Sequence, residues 1–69
     1  LPIYSLLSST GPEHNQLFKI ECSIKIFKNL NGTKSIVRIN KIAEGYSKKN
    51  AEQKAAKLVI EEYTKLINS

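Results

Sequence analysis

Two lysines stand where the most helix-prone stretch of the chain begins. Lys48 and Lys49 follow Ser47, a residue type that caps helix N-termini, and good helix formers come after them. Because the positive end of the helix macrodipole lies at this terminus, each lysine there costs on the order of 0.3–1 kcal/mol. A bound anion would offset that cost, since the free N–H groups of a helix N-terminus favour phosphate. The pattern therefore predicts a phosphate site; the alternative is a solvated lysine pair without a ligand.

A second polar segment, residues 11–14, lies between two apolar stretches. Gly11 and Pro12 are residue types that fix the path of a turn or loop. These residues predict a polar loop, in which His14 taken by itself is most simply an exposed histidine without a role.

The composition limits the classes of function. The chain has 69 residues, which predicts one small domain over residues 1–69, and its net charge of +5 favours an anionic partner. Charge alone does not separate nucleic acid from an acidic membrane surface. The chain has one histidine, no pairing of a nucleophile with a base and no Cys/His cluster, so we expect neither an enzyme nor a bound metal or other cofactor.

The cysteine content and the hydropathy pattern indicate a compartment. The lone Cys22 excludes an internal disulfide framework, and its place among alternating apolar residues predicts a small buried hydrophobe. No apolar run is long enough to span a membrane, and no signal-peptide pattern opens the chain. We therefore expect no membrane partner and a reducing, intracellular setting, most simply the cytoplasm.

Periodicity predicts the elements that position these residues. Partial alternation over Ile3–Thr10 indicates a first strand. A second strand with one buried and one solvated face is predicted by the period-two placement of Phe18, Ile20, Cys22, Ile24 and Ile26. Asn31 and Gly32 are a strong hairpin signal, because both accept positive φ, and a third strand should cover roughly residues 35–43.

A helix is predicted from Lys48 to about Ile67. Apolar residues gather on one face at three- and four-residue steps, namely Ala51, Ala55, Leu58, Val59, Tyr63 and Leu66. Lys57 and Glu61 have the i,i+4 spacing of a surface ion pair. The expected fold is α+β: an antiparallel three-stranded meander with a C-terminal helix packed on one face.

Four motifs, in this order, resemble the double-stranded RNA-binding domain, and most closely its ribonuclease III branch. Residues 2–6 resemble the P-x-Y-x-L of the first strand, and residues 11–14 resemble the G-P-x-H loop. Residues 43–49 resemble the G-x-G-x-S-K-K approach to the last helix, and residues 51–56 resemble the A-E-Q-x-A-A that follows it. The resemblance extends over almost the whole chain.

The resemblance implies binding of double-stranded RNA by shape, with little sequence preference, as the substrate-binding module of a ribonuclease III-like protein. The lysine pair would contact phosphates, while a carbonyl near Pro12 and the ring of His14 would meet ribose hydroxyls in a minor groove. The implied RNA-binding residues are Gly11, Pro12, Glu13, His14, Ser47, Lys48, Lys49 and Gln53.

Two departures from the family pattern stand out. Glu52 replaces a lysine that many members carry, although the ribonuclease III branch often has Glu there. The sequence also starts at the first strand, so we expect the N-terminal helix of the family to be absent. A protein–protein or dimerisation module of the same fold is the alternative function. A homodimer and a covalently linked nuclease domain both remain open as partners, and any nuclease activity would belong to that separate domain.

Overall fold

A three-stranded antiparallel sheet is followed by one helix in the computed structural model, which describes residues 2–68. The sheet has the order β1-β2-β3. The elements are β1 (Ile3–Thr10), β2 (Leu17–Leu30), β3 (Thr33–Gly45) and α1 (Lys48–Ile67). The helix packs against β2 and β3 on one face of the sheet. The predicted α+β fold is confirmed.

The β2–β3 hairpin turns over two residues. Asn31 has φ 53° and Gly32 has φ 80°, the positive values that tight hairpin turns require. Leu30 consequently pairs with Thr33, directly beside the turn. The predicted range for the third strand, residues 35–43, was too short at both ends: the tight turn allows pairing to begin at Thr33, and pairing with β2 continues as far as Gly45, opposite Phe18.

The core is small, and the side chains that the helix contributes to it are mostly small. Its buried residues are Ile20, Cys22, Ile39, Ala51, Ala55 and Val59. The helix face was predicted too wide, since Leu58 and Tyr63 are each 38% exposed. Both lie on the flanks of the apolar stripe, where a narrow sheet covers only the central line of the helix.

The two faces of the sheet differ in what covers them. On β2 the even-numbered residues such as Cys22 and Ile24 face α1, where they join the core. On β3 the odd-numbered residues do so, and Lys41 forms an ion pair with Glu62 of the helix at 3.4 Å. The odd-numbered residues of β2 and the even-numbered residues of β3 form the opposite side, here called the open face. The expected Lys57–Glu61 pair is not formed.

Candidate nucleic-acid interface

The start of α1 is an open anion-binding terminus. Ser47 is the N-cap: its side chain accepts a hydrogen bond from the N–H of Asn50 at 3.0 Å, and its carbonyl accepts one from Ala51 at 3.0 Å. The N–H groups of Lys48 and Lys49 have no acceptor within residues 2–68. Both lysines are exposed, and the first turn contains no acidic residue. Backbone donors, dipole and side-chain charge therefore all favour an anion here.

The 11–14 loop has a defined shape. Gly11 has φ 99°, and a Cβ atom there would lie 2.9 Å from the carbonyl oxygen of Asn15, so another residue would be strained. The N–H of Asn15 donates to the carbonyl of Pro12 at 2.9 Å, closing a turn with Glu13 and His14 at its centre. The Pro12 carbonyl keeps a second lone pair for a ligand. All four loop residues are exposed.

The sheet brings the loop and the helix start to the same end of the molecule. Thr10 pairs with Leu17 on either side of the loop, and Phe18 pairs with Gly45 two residues before the cap. No hydrogen bond or ion pair joins the two groups in the part of the chain that the structure describes. Each group is thus fixed by its own element and presents its polar atoms to solvent.

Two further residues at this end were not among the predicted RNA-binding residues. Gly45 is buried, and a Cβ atom on it would lie 2.8 Å from the backbone nitrogen of Ala51, so the glycine sets how closely β3 approaches the helix start. Tyr46, directly before the cap, is 68% exposed. The sequence signals were a glycine at a strand end and an aromatic residue beside an N-cap, and neither is specific by itself.

The helix residues beyond the first turn are less uniform. Gln53 is exposed and available to a ligand, whereas Glu52 is half-buried. On β1, the pKa of Tyr4 is raised by partial burial first, then by the charge of and the hydrogen bond with Cys22, and least by the charge of Glu52.

Cys22 belongs to the interior and not to the interface. It is 1% exposed, which confirms the predicted buried hydrophobe. Burial raises the pKa of its thiol, and a hydrogen bond with Tyr4 offsets this only in part. The thiol is therefore protonated and poorly reactive at neutral pH.

The described residues contain no cluster suited to holding a metal ion. Among residues 2–68, no group of three or more His, Cys, Asp and Glu side chains is placed to hold a metal ion. The polar groups that this end offers are N–H donors, two ammonium groups, the Pro12 carbonyl and the His14 ring, which can both donate and accept. Their chemistry suits an anion with hydroxyl groups nearby.

No helix within residues 2–68 is both long and apolar enough to cross a membrane.

Comparison with known proteins identifies a family and several similar proteins. Residues 1–63 match the family described as "Double-stranded RNA binding motif". The chain is 42% identical over 66 residues to "Ribonuclease 3" of Anaplasma marginale (strain Florida), covering 96% of the chain and 24% of that protein. It is 45% identical over 65 residues to "Ribonuclease 3" of Pelagibacter ubique, covering 94% of the chain and 24% of that protein. The chain thus spans about a quarter of the length of these curated relatives. No solved structure gives a significant match.

Proposed function

The chain belongs to the double-stranded RNA-binding domain family, and from this membership we propose that it binds duplex RNA by shape, using the 11–14 loop and the start of α1. Such a domain has no catalytic activity by itself. We further propose that it acts in the cytoplasm as the substrate-binding module of a ribonuclease III-like protein, whose nuclease domain lies elsewhere in a longer chain.

The observation that carries this proposal is the placement of two different polar groups at one end of the sheet. One is a cationic helix terminus with free N–H groups, and the other is a glycine-shaped loop that carries His14. A-form RNA offers two corresponding features, phosphates that border the deep major groove and 2′-hydroxyls in the shallow minor groove. A rigid end that meets both features distinguishes RNA from DNA without reading bases.

The residues divide between these two contacts. Lys48 and Lys49 bind phosphates, supported by the backbone that Ser47 caps, and Gln53 adds a neutral hydrogen bond from the next turn. In the loop, Gly11 and Pro12 set the path of the turn around Glu13, while the carbonyl of Pro12 and the ring of His14 contact ribose hydroxyls. Because phosphates and sugars carry no base identity, the proposed binding is nearly independent of sequence.

The decisive experiment compares duplex RNA with duplex DNA of the same sequence. The 69-residue chain is titrated with each duplex at about 50 and 200 mM salt, a range over which phosphate-dominated binding weakens steeply. Tighter binding to RNA at both salt concentrations, with loss of affinity at the higher one, is the expected result. Equal, weak binding to both duplexes would contradict the proposal and favour the protein-interaction module.

A loop variant separates the hydroxyl contact from the phosphate contact. His14→Ala should lower the affinity for RNA by about threefold to tenfold, the effect of one neutral hydrogen bond, and leave the affinity for DNA unchanged. Gln16→Ala, in the same connection and half-buried, is the control. Equal losses with RNA and DNA would show that His14 does not read the 2′-hydroxyl.

A further inference from the structure

The open face carries an exposed apolar and basic cluster near the hairpin turn. Phe27 on β2 is 75% exposed and is paired in register with Ile36 on β3, which is 60% exposed. Lys25 and Arg38, each two residues farther from the turn, form the next pair on the same face, and both are exposed. We call these four residues the hairpin patch.

The charges of the hairpin patch are unfavourable for the isolated chain. Like charges directly opposite on neighbouring strands destabilise a sheet. Neither Lys25 nor Arg38 forms an ion pair with a carboxylate among the described residues, and Lys34 adds a third cation on the same face. Toward the other end of the open face, Lys19 stands opposite Glu44 instead. The uncompensated positive charge is therefore local to the hairpin half of the face.

The hairpin patch borders a concavity. Ile3 of β1 pairs with Ser23 next to this patch. A depression of about 420 Å³ lies between Ile3, Lys25, Phe27 and Arg38, with Ser23 and Ile24 completing its lining. Apolar carbon and two cations thus face the same hollow.

We propose that the hairpin patch and its hollow bind an acidic, partly apolar peptide segment of a protein partner. Apolar side chains of such a segment would cover Phe27 and Ile36, while its carboxylates would neutralise Lys25 and Arg38. This surface lies on the side of the sheet away from α1. It also lies about 30 Å from the RNA-binding end, counting the nine residues from Phe18 to Phe27 at ~3.3 Å each. The proposal goes beyond RNA binding and does not depend on it.

The same features argue against nucleic acid as the occupant. A single strand is held by several aromatic rings on which successive bases stack, whereas the hairpin patch offers only the ring of Phe27. Duplex backbones are bound by cations and hydrogen-bond donors and give an exposed isoleucine nothing to pack against. A partner that provides both carboxylates and apolar side chains fits the whole surface.

The test is a titration of the 69-residue chain with a short fluorescent peptide of alternating glutamate and leucine. We expect saturable binding by fluorescence polarisation and amide NMR shifts concentrated at Lys25, Phe27, Ile36 and Arg38. A peptide of alternating glutamate and serine should bind much more weakly, as should one of alternating lysine and leucine. Absence of saturable binding, or shifts concentrated elsewhere, would overturn the proposal.

Matched variants on the same strands and the same face give the control. Ile36→Ser and Lys25→Glu should each weaken peptide binding by about fivefold or more. Ile42→Ser and Lys19→Glu should leave it unchanged, because these residues share strand and face but lie outside the patch. Unchanged far-UV circular dichroism and amide NMR dispersion of all four variants establish that they are folded. Equal losses for patch and control variants, or displacement of the peptide by single-stranded RNA, would contradict an acidic protein segment as the occupant.

Discussion

The two ends of this elongated molecule, 53 × 18 × 14 Å, both carry exposed cations but place them in different surroundings. At the helix end, Lys48 and Lys49 stand beside free backbone N–H groups. At the hairpin end, Lys25 and Arg38 stand on a sheet, beside two exposed apolar side chains. Sheets have only small net dipoles, so the hairpin end lacks the backbone contribution to anion binding that the helix end has.

The difference shows that the distribution of charge, and not its total, separates the two surfaces. Phosphate is bound best where side-chain cations and oriented N–H groups act together. An exposed phenylalanine contributes little to such a contact but much to an interface with another protein. The same net charge of +5 can therefore provide one surface for RNA and another for an acidic protein segment.

The largest expected effect is a loss of RNA affinity, and it comes from the helix end. Replacing Lys48 and Lys49 by alanine should weaken duplex RNA binding on the order of a hundredfold, since each charged hydrogen bond contributes ~1.5 kcal/mol or more. The loss should be the same for every duplex sequence, and the salt dependence should flatten by about two phosphate contacts. Titrations over a range of salt concentrations measure both quantities.

The control for this variant removes the same charge from the same helix. Lys57→Ala combined with Lys65→Ala lowers the net charge equally, away from the N-terminus. It should have a much smaller effect on affinity. If the two double variants bound RNA equally weakly, general attraction would explain the binding and the helix terminus would have no special role.

A smaller effect is expected from the glycines at the two ends. Gly45→Ala should lower the free energy of unfolding by about 1–3 kcal/mol, because its Cβ atom would overlap the backbone of Ala51. It should also weaken RNA binding by displacing the helix start. Gly32→Ala meets open space and should lower the free energy of unfolding by about 1 kcal/mol through its positive φ alone, without loss of RNA affinity. Urea unfolding and RNA titration of both variants test this contrast, and equal RNA affinities would refute it.

The smallest effect is a gain in stability at the hairpin end. Arg38→Glu converts the like-charge pair with Lys25 into an opposite-charge pair and should raise the free energy of unfolding by about 0.2–1 kcal/mol. Adding Lys25→Glu to this variant should abolish the gain by restoring a like-charge pair. Thermal unfolding of the single and double variants at low salt measures the coupling. A destabilised Arg38→Glu variant would mean that the two side chains do not repel each other in the folded chain.

Local patterns predicted the elements well, whereas contacts between elements were harder to derive. The helix bounds, the cap at Ser47 and the Asn31–Gly32 turn each depend on a few neighbouring residues, and all three are confirmed. The partner of Glu62 could not be predicted from helix spacing, because Lys41 reaches it from β3. The tight approach of Gly45 to Ala51 was likewise invisible, since it depends on how the helix meets the strand.

The proposed RNA-binding residues divide in the same way. The spacing of residue types predicted an uncompensated positive charge at the start of a helix, and the structure adds the free N–H groups beside it. That the 11–14 loop reaches the same end of the sheet follows from the strand register, which single-sequence periodicity does not specify. The hairpin patch was missed because its four residues are separated in the sequence and lie side by side only across the hairpin.

The meander topology has a consequence for the order in which the chain assembles. The β2–β3 hairpin closes over two residues and can form within about 1–10 μs, before any distant contact is made. The loop and the helix start come to the same end of the molecule only after β1 and α1 have both joined that hairpin. An RNA ligand that needs both groups binds only the completely assembled chain. It therefore draws the folding equilibrium toward that state by mass action, and makes the domain more resistant to proteolysis while RNA is bound.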